Sequence, residues 1–457
     1  MIGAALFGYL GDRLGRKYTF LATIVLMGAA TAGVGLTPSA ASIGVAAPVI
    51  LILLRIAQGL ALGGEYGGAA IYVAEHAPPG RRGFYTSFIQ AGVIGGFILS
   101  LIVVVATQWI VGPAVWDAWG WRIPFVLSLA LLGVSLWMRL MLRESPVFTA
   151  MKAAGAQAKN PLREAFTYPG NGKRMLVAMI GIAAGFTVIA YTVMFQALYF
   201  LQSGLRVAPG VAQLLVGGSA FIGMGSFVFF GWLSDRIGRR RPIIVGYALV
   251  LLLALPIYQF MGRTANPALE AAAVRAPVVV SGPDCRFDPF AKVQPTACGK
   301  LLDHFSKRGV PYAKEKAATP AVSIGGAAQG DLSPKALDAA LGQAGYPTGS
   351  VTPDWPRAAL VFLAMLLLWS LSGATYGPVA ALLSEYFPAR IRYSSLSIPY
   401  HIGTGYFGGF LPLISQYLVA RTGDPYAGLW YTLAVVALAL VTCLVALPET
   451  KDRPLDA

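Results

Sequence analysis

Long apolar stretches dominate this sequence and restrict it to a membrane fold. At about 20 residues per crossing, ten of them are long enough to span the hydrocarbon of a bilayer as helices. A chain that is 56% hydrophobic and only 12% charged cannot bury so much apolar surface in a water-soluble core. A shorter apolar stretch covers residues 1–11. The ten predicted spans are 18–37, 46–76, 84–111, 122–142, 175–201, 211–231, 242–261, 357–386, 393–420 and 426–447.

The basic residues are distributed unevenly between the loops, and this asymmetry predicts the orientation of the chain. The net charge is +15. When the loop that contains Asp12 is placed in the cytoplasm, 20 basic residues fall on that side, and 5 flank the spans on the opposite side. Such a bias is the positive-inside signal of membrane proteins, so the charge implies no nucleic-acid partner. Ten crossings from that loop also return the C-terminus to the cytoplasm.

An internal repeat divides the chain into two halves. The stretch GYLGDRLGRK at 8–17 returns as GWLSDRIGRR at 231–240, and EHAPPGRR at 75–82 returns as EYFPARIR at 385–392. The two motifs lie 63 residues apart in the first half, from Asp12 to Glu75, and 150 apart in the second, from Asp235 to Glu385. The difference of 87 residues predicts an insertion in the second half.

The same comparison applies to the start of the chain. About 60 residues, from Met175 to Asp235, carry two helices before the aspartate of the second half, but only 11 residues precede Asp12. We therefore expect one full helix and part of another to be absent from this chain. Either the start is assigned too late, with about 45–60 further residues encoded upstream in frame, or the helix has been lost.

The predicted insertion is a polar segment at 264–355, rich in proline and glycine, on the outer side. It contains no long apolar run, so we expect an extramembrane loop or a small subdomain. Ser333, Pro334 and Gly345 are typical of the start and the end of one short helix. Two cysteines of this segment are candidates for a disulfide, which oxidising conditions outside the cytoplasm would allow. They are Cys285 and Cys298.

The repeated motifs resemble the loop motifs of the major facilitator superfamily of secondary transporters. Within it, the stretches RIAQGLALGGEYGGAAIYVAEHAPPGRRGFYTSF (55–88), WGWRIPF (119–125), RESPVF (143–148) and LPETKDRPL (447–455) are similar to the metabolite:proton symporters. That family includes carriers of citrate, α-ketoglutarate, shikimate and proline or betaine. The resemblance implies an all-α membrane fold of two pseudo-symmetric six-helix halves. On its twelve-helix plan, this chain lacks the first helix and part of the second, and a long outer loop separates helices 9 and 10.

This plan divides the chain into six segments. They are an N-terminal bundle at 1–142, a cytoplasmic central loop at 143–174, the first part of the C-terminal bundle at 175–261, an outer insertion at 262–356, the second part of that bundle at 357–448 and a cytoplasmic tail at 449–457. We expect a monomeric, multi-pass protein of the inner or plasma membrane.

Charged residues of the repeated motifs are predicted to form a conformational latch on the cytoplasmic side. An aspartate at the end of one helix lies within reach of the following arginines and of the positive N-terminal end of the next helix. Such a cluster can form in one conformation and separate in the other, and the resemblance implies the same role. The alternative is a solvated rim. The candidates are Asp12, Arg13, Arg16, Glu75, Arg82, Asp235, Arg236, Arg239, Glu385 and Arg392.

Three ionisable residues are predicted at membrane depth. Charges are costly there, about 2.5–3.5 kcal/mol on insertion scales, so such residues usually face a cavity. Arg55 is a candidate for anion binding or coupling and Glu65 for carrying a proton, although both could be structural residues. His401 fits an interior histidine with satisfied hydrogen bonds better than a ligand. Polar side chains on the expected cavity helices are further substrate candidates: Gln58, Tyr66, Gln90, Tyr191, Gln196 and Tyr376.

Together these features favour a secondary active transporter that imports a small organic acid or a zwitterionic osmolyte with protons, by alternating access. The sequence shows no catalytic or metal-binding motif, so we expect neither an enzyme nor a cofactor beyond the proton gradient. The stretch GTGYFG at 403–408 fits a dinucleotide pattern, but inside an apolar span close helix packing is the better interpretation. The expected partners are the bilayer, protons and a small-molecule substrate. The alternatives are a non-transporting sensor that uses the outer loop, and an uncoupled facilitator or exporter.

Overall fold

The computed structural model describes residues 1–347 and 349–455. Within those residues, nine helical passages are long and apolar enough to cross a membrane. Each overlaps one of the ten predicted spans, so the structure forms helices where the sequence predicts membrane crossings. The nine passages are Arg16–Leu36, Ala46–His76, Arg82–Val111, Gly120–Leu140, Asn171–Gly204, Pro209–Ile237, Arg240–Ala265, Trp355–Tyr386 and Leu429–Ala446.

The first half consists of long helices joined by short turns. Many of their apolar side chains are exposed, as expected of helices that face lipid. The helices are α1 (Ile2–Leu14), α2 (Arg16–Leu36), α3 (Ala40–Ile43), α4 (Ala46–His76), α5 (Arg82–Val111), α6 (Pro113–Ala118) and α7 (Ile123–Leu140), with a 3₁₀ turn at Gly120–Arg122. Two short helices, α8 (Pro146–Ala153) and α9 (Pro161–Thr167), follow in the segment that links the halves.

The second half begins with a helical passage that contains three π-helical segments, a feature often found at functional sites. It starts a few residues before the predicted Met175. Its parts are α10 (Asn171–Val177), the π segment Ala178–Ala184, α11 (Gly185–Tyr191), the π segment Thr192–Gln196, α12 (Ala197–Tyr199) and the π segment Phe200–Gly204. The long helices α13 (Pro209–Ile237) and α14 (Arg240–Ala265) follow.

The insertion is a folded subdomain with a four-stranded sheet of order β2-β1-β3-β4. Strand β1 runs parallel to β2 and antiparallel to β3. The sheet departs from the all-α expectation, because strands of two to five residues leave no strong pattern in a polar segment. The elements are α15 (Pro267–Arg275), β1 (Val278–Gly282), α16 (Ala297–Lys307), β2 (Tyr312–Lys316), β3 (Ala321–Ile324), β4 (Ala327–Ala328) and α17 (Pro334–Gln343).

Two local predictions for the insertion are confirmed. The Ser333 hydroxyl accepts a hydrogen bond from the N–H of Ala336 at the start of α17, as an N-cap should. Cys285 and Cys298 form a disulfide, which holds the loop between them against the start of α16. The insertion therefore has a covalent constraint in addition to its small core.

The chain ends with α18 (Trp355–Tyr376), α19 (Val379–Tyr386), α20 (Arg392–Ile402), α21 (Leu411–Thr422) and α22 (Leu429–Ala446), with a 3₁₀ turn at Ala389–Ile391 and a π segment at Gly403–Gly408. The predicted span at 393–420 is not one uniform helix, because Pro399 and a cluster of glycines interrupt it. A Cβ at Gly403 would lie 2.5 Å from the Cβ of Ala183. This close approach confirms the helix-packing interpretation of GTGYFG.

The packing of the helices follows the internal repeat. Helix α2 packs against α4 and α7 in the first half, as α14 packs against α18 and α22 in the second. The two halves meet along two further pairs, α1 with α20 and α5 with α13. These pairs bring the repeated motif loops together at one end of the molecule.

Candidate functional site

The end of α1 is attached to the second half through Asp12. Its buried carboxylate accepts hydrogen bonds from the backbone N–H groups of Tyr393, at 3.1 Å, and Ser394, at 2.9 Å. Both N–H groups belong to the first turn of α20, where a helix carries unpaired donors and a partial positive charge. The helix end therefore forms an anion site that a side chain of the other half occupies.

A buried ion pair lies next to this attachment. Arg392 Nη1 lies 2.8 Å from Glu75 Oε1, and Arg16 Nη2 lies 3.6 Å from the same oxygen. Ser145 donates a hydrogen bond to the other carboxylate oxygen of Glu75. We call Asp12, Arg16, Glu75 and Arg392 the first charge cluster. It joins groups of both halves in a region from which water is excluded.

The second half presents the same arrangement to α5. Asp235 accepts hydrogen bonds of 2.8 Å from the backbone N–H groups of both Gly83 and Phe84, in the first turn of that helix. Arg239 lies 2.6 Å from the Asp235 carboxylate and 3.0 Å from that of Glu385. The aspartate, the arginine and the glutamate thus occupy the same repeat positions as their counterparts in the first half.

A fourth residue completes this cluster. Arg82 lies 3.6 Å from Glu385, as Arg392 pairs with Glu75 in the first cluster. We call Arg82, Asp235, Arg239 and Glu385 the second charge cluster. The two clusters differ in their closest pair: Glu75 lies closest to an arginine of the opposite half, and Glu385 to one of its own half.

Two glutamates that the sequence analysis did not single out support the clusters. Glu144 Oε1 accepts a hydrogen bond from the backbone N–H of Arg16 at 3.1 Å, and Glu449 Oε1 accepts one from that of Arg239 at 2.8 Å. Each carboxylate caps the helix that follows the repeated motif, α2 or α14. Both glutamates precede a serine or threonine at the end of their half, so aligning RESPVF with LPETKDRPL would have revealed them.

A motif glycine makes room for each cap. Gly15 and Gly238 have φ values of +119° and +100°, which other residues rarely adopt. A Cβ at either position would overlap the carboxylate of Glu144 or Glu449. Burial alone would raise the pKa of Glu449, but four backbone N–H groups donate to its carboxylate and hold the pKa below its usual range.

Two predicted latch residues lie outside the clusters. Arg13 is exposed and donates a hydrogen bond to the hydroxyl of Tyr9 on its own helix. Arg236 is exposed and lies over the ring of Trp232, 3.9 Å from its centroid. Each arginine follows a cluster aspartate by one residue, which is about 100° of helical turn. Its side chain therefore points away from the neighbouring half.

An aromatic layer lies deeper between the two halves. The ring of Tyr66 stacks on that of Tyr400 with 3.9 Å between centroids, and the hydroxyls of Tyr400 and Tyr376 lie 3.1 Å apart. Gln90 Nε2 donates to the Tyr66 hydroxyl over 3.1 Å. Phe186 stacks on Tyr376 with 4.1 Å between centroids. We call these five residues the tyrosine layer.

The tyrosine layer also follows the internal repeat. Tyr66 and Tyr376 each precede the cluster glutamate of their half by nine residues. Gln90 follows Arg82 by eight residues, and Tyr400 follows Arg392 by eight. At 1.5 Å per residue, the layer lies about 13 Å deeper than the clusters. Three of the five residues were substrate candidates from the sequence, but Tyr400 and Phe186 were not. The signal for Tyr400 was the repeat position that it shares with Gln90.

The remaining predicted residues of the first half do not join the layer. Arg55 is exposed and donates to Gln58 over 3.2 Å, and Gln58 donates to Thr31 over 2.8 Å. Glu65 lies 3.5 Å from Arg139 of α7. Arg55 and Glu65 are therefore not paired with each other, and each has a partner within its own half.

His401 connects the two halves through backbone carbonyl groups. Its Nδ1 lies 2.8 Å from the oxygen of Ser397 on the same helix, and its Nε2 lies 3.1 Å from the oxygen of Leu62 in α4. The last two predicted residues lie in the first passage of the second half. Tyr191 is half-buried in α11, and Gln196 is buried near the insertion.

Two repeated helical halves, joined at one end by duplicated charge clusters, define a secondary transporter of major facilitator architecture. Residues 1–175 match the family model described as "Sugar (and other) transporter". The structure of the proton:xylose symporter XylE bound to 6-bromo-6-deoxy-D-glucose has the same fold. It matches with a TM-score of 0.62 and 18% identity, covering 100% of this chain and 85% of that chain.

Relatives extend the match over the whole chain. The inner membrane metabolite transport protein YhjE of Escherichia coli K12 is 30% identical, over 99% of this chain and 82% of its own length. The proline/betaine transporter of the same organism is 28% identical, over 99% of this chain and 73% of its own length. The shikimate transporter of that organism is 36% identical, over 60% of this chain and 60% of its own length. The chain therefore belongs to the metabolite transporters of the major facilitator superfamily. It is a transporter and not an enzyme.

Proposed function

We propose that this protein imports a small organic acid or a zwitterionic osmolyte together with protons, by alternating access across the inner membrane. The observation that carries the proposal is the pair of charge clusters, which hold the two halves together at one end through buried groups of opposite charge. The excess of basic loop residues supports a cytoplasmic location for this end and an outer location for the insertion. The arrangement described above would then be the state that is closed towards the cytoplasm.

Opening towards the cytoplasm would require both clusters to separate. Removing one partner of a buried ion pair costs about 3–5 kcal/mol, because the remaining charge stays buried. Separation of the halves instead lets water solvate both partners, so the clusters can act as a reversible latch. The tyrosine layer would part in the same movement, because the stacked rings of Tyr66 and Tyr400 belong to opposite halves.

The proposed substrate class follows from the relatives and from one basic residue. The shikimate transporter and the proline/betaine transporter are named for small molecules that carry a carboxylate. Arg55 and the neighbouring Gln58 supply a guanidinium and an amide on α4, which suit a carboxylate. In the proposed cycle, the substrate contacts Arg55 in one step and passes the tyrosine layer in another.

His401 is the first candidate for proton coupling. A neutral imidazole donates only one hydrogen bond, whereas both ring nitrogens of His401 face carbonyl oxygens. A protonated His401 can donate to both, and one of the acceptors, Leu62, belongs to the other half. Proton binding would therefore favour the state in which α20 contacts α4. Glu65, beside Arg139, is the second candidate.

Uptake into proteoliposomes tests the proposal. With the external pH below the internal pH, we expect radiolabelled shikimate or proline to accumulate above its external concentration, and a protonophore should abolish the accumulation. His401→Gln should weaken the response to the pH gradient. His76→Gln, which alters an exposed histidine at the end of α4, is the matched control and should respond as the parent chain does. Equal uptake with and without the gradient would contradict proton coupling, and no uptake of any carboxylate would contradict import.

A further inference from the structure

A cavity of about 290 Å³ lies where the insertion rests on the transport helices. One wall comes from the first passage of the second half and from α21, and it includes Gln196, Tyr199 and Tyr417. The opposite wall comes from the insertion, where α16 contributes Asp303 and Lys307. Small-molecule sites have volumes from roughly 300 Å³ upward, so this space suits a compact ligand.

One buried polar group of the cavity has no partner. Gln196 is 2% exposed, and its Oε1 accepts no hydrogen bond from any residue within 1–347 and 349–455. An unpaired buried carbonyl oxygen destabilises the folded chain, and such groups are uncommon in folded proteins. A ligand in the cavity that carries an N–H or O–H donor would remove this cost.

The insertion side of the cavity carries one charge of each sign. Lys307 Nζ lies 2.7 Å from Asp303 Oδ2, and their side chains are 68% and 29% exposed, so solvent reaches both. Because the pair is neutral as a whole, it does not favour a simple anion. A molecule with one positive and one negative group can form two ion pairs here, one with Asp303 and one with Lys307. These two pairs would replace the single pair between the two side chains.

Both walls of the cavity carry aromatic side chains. Aromatic faces contact the apolar part of a small ligand and also attract a positively charged group. The five aromatic side chains that line the cavity are Tyr199, Phe200, Phe287, Tyr312 and Tyr417.

We propose that this cavity binds a small zwitterion of the amino-acid type, whose N–H donors serve Asp303 and Gln196 and whose carboxylate pairs with Lys307. No residue of the tyrosine layer lines the cavity among the residues that the structure describes, so the site is additional to the contact between the halves. The ligand contacts both the insertion and the second half, so its binding joins these two parts. The inference does not depend on transport.

Isothermal titration calorimetry of the full chain in lipid nanodiscs tests the inference, with L-proline, glycine betaine and shikimate as probes. L-Proline should bind. Glycine betaine, a zwitterion without an N–H donor, should bind about tenfold more weakly or worse, because it cannot donate a hydrogen bond to the Asp303 carboxylate. Shikimate, a simple anion, should not compete with L-proline for this site.

Substitutions on α16 locate the binding. Asp303→Asn and Lys307→Gln should each weaken L-proline binding about tenfold, since each removes one charged partner. Lys300→Gln alters an exposed lysine of the same helix that does not line the cavity, and it should change the affinity less than about twofold. Binding of L-proline that is unchanged in both cavity variants overturns the proposal, and tighter binding of shikimate that depends on Lys307 alone would identify an anion site instead.

Hydrogen exchange on the unaltered protein provides a second measurement, in case a variant disturbs the insertion. L-Proline should slow exchange in α16 and in the segment around Gln196, and unchanged exchange in both overturns the proposal. Uptake is measured separately. Binding at this site without proline uptake would contradict import of a zwitterion while the site itself stands, so the two proposals fail by different results.

Discussion

At the scale of single residues, Glu75 is the group whose loss should weaken the first charge cluster most. Its carboxylate lies between the buried guanidinium groups of Arg392, at 2.8 Å, and Arg16, at 3.6 Å. Glu75→Gln leaves both cations without this anion, so we expect the free energy of unfolding to fall by about 3–5 kcal/mol. Chemical denaturation in mixed micelles measures the change. Arg13→Gln removes an exposed charge outside the cluster and should cost less than about 0.5 kcal/mol, and equal losses would contradict the cluster.

Residue spacing also explains what the sequence could and could not predict about the site. Arg13 and Arg236 follow the motif aspartate by one residue on the same helix and point about 100° away from it. Arg16 and Arg239 follow the motif glycine, Gly15 or Gly238, where the first helix ends and the chain turns back to the aspartate. This distinction was available from the sequence. The main partners of the two aspartates were not, because they are backbone N–H groups, which any residue carries.

At the scale of helices, the cap that Glu449 provides for α14 predicts a pH dependence. Its pKa lies below the ordinary value of 4.5, because the four N–H donors outweigh the effect of burial. A lowered pKa stabilises the folded state above pH 4.5, and this contribution is lost as the pH falls through the folded-state pKa. We expect Glu449→Gln to reduce the fall in melting temperature between neutral pH and pH 3.5 or so. Glu315→Gln, in an exposed position of β2, should leave that fall unchanged, and identical curves for all three proteins would contradict the prediction.

The helices and strands differ in how well the sequence predicts them. A passage of about 20 apolar residues has few alternatives in a membrane, so nine spans were predicted correctly from hydrophobicity alone. The passage from Arg392 to Thr422 contains the same kind of residues, but Pro399 and the glycines after it divide the helix. The strands of the insertion depend on partners far along the chain, as β1 with β2 does, and short segments do not reveal such partners.

At the scale of the whole molecule, the internal repeat has the greatest predictive value. It located the insertion by a difference in spacing, and it relates the two clusters, the two capping glutamates and the tyrosine layer. It could not show that the halves pack crosswise, with α1 on α20 and α5 on α13. A repeat identifies equivalent positions in the two halves, but it does not reveal which helices of one half contact the other. Such contacts depend on how the halves dock.

This crosswise arrangement predicts that the two clusters open together. If each half moves as a rigid body, separation of α1 from α20 also separates α5 from α13. Asp12→Asn replaces one acceptor oxygen by an NH₂ group and weakens the bonds from Tyr393 and Ser394. We expect amide hydrogen exchange to accelerate at these two residues and also at Gly83 and Phe84, which are bound to the aspartate of the second cluster.

Hydrogen-exchange mass spectrometry in nanodiscs resolves the segments that begin α20 and α5. Asp117→Asn alters an exposed aspartate of α6 and should leave exchange in both segments at the level of the parent chain. Acceleration at the start of α20 alone would show that the clusters open independently, and the halves would then not rock as two rigid bodies. Acceleration at both starts supports alternating access, because one movement then breaks contacts that the sequence places in opposite halves of the chain.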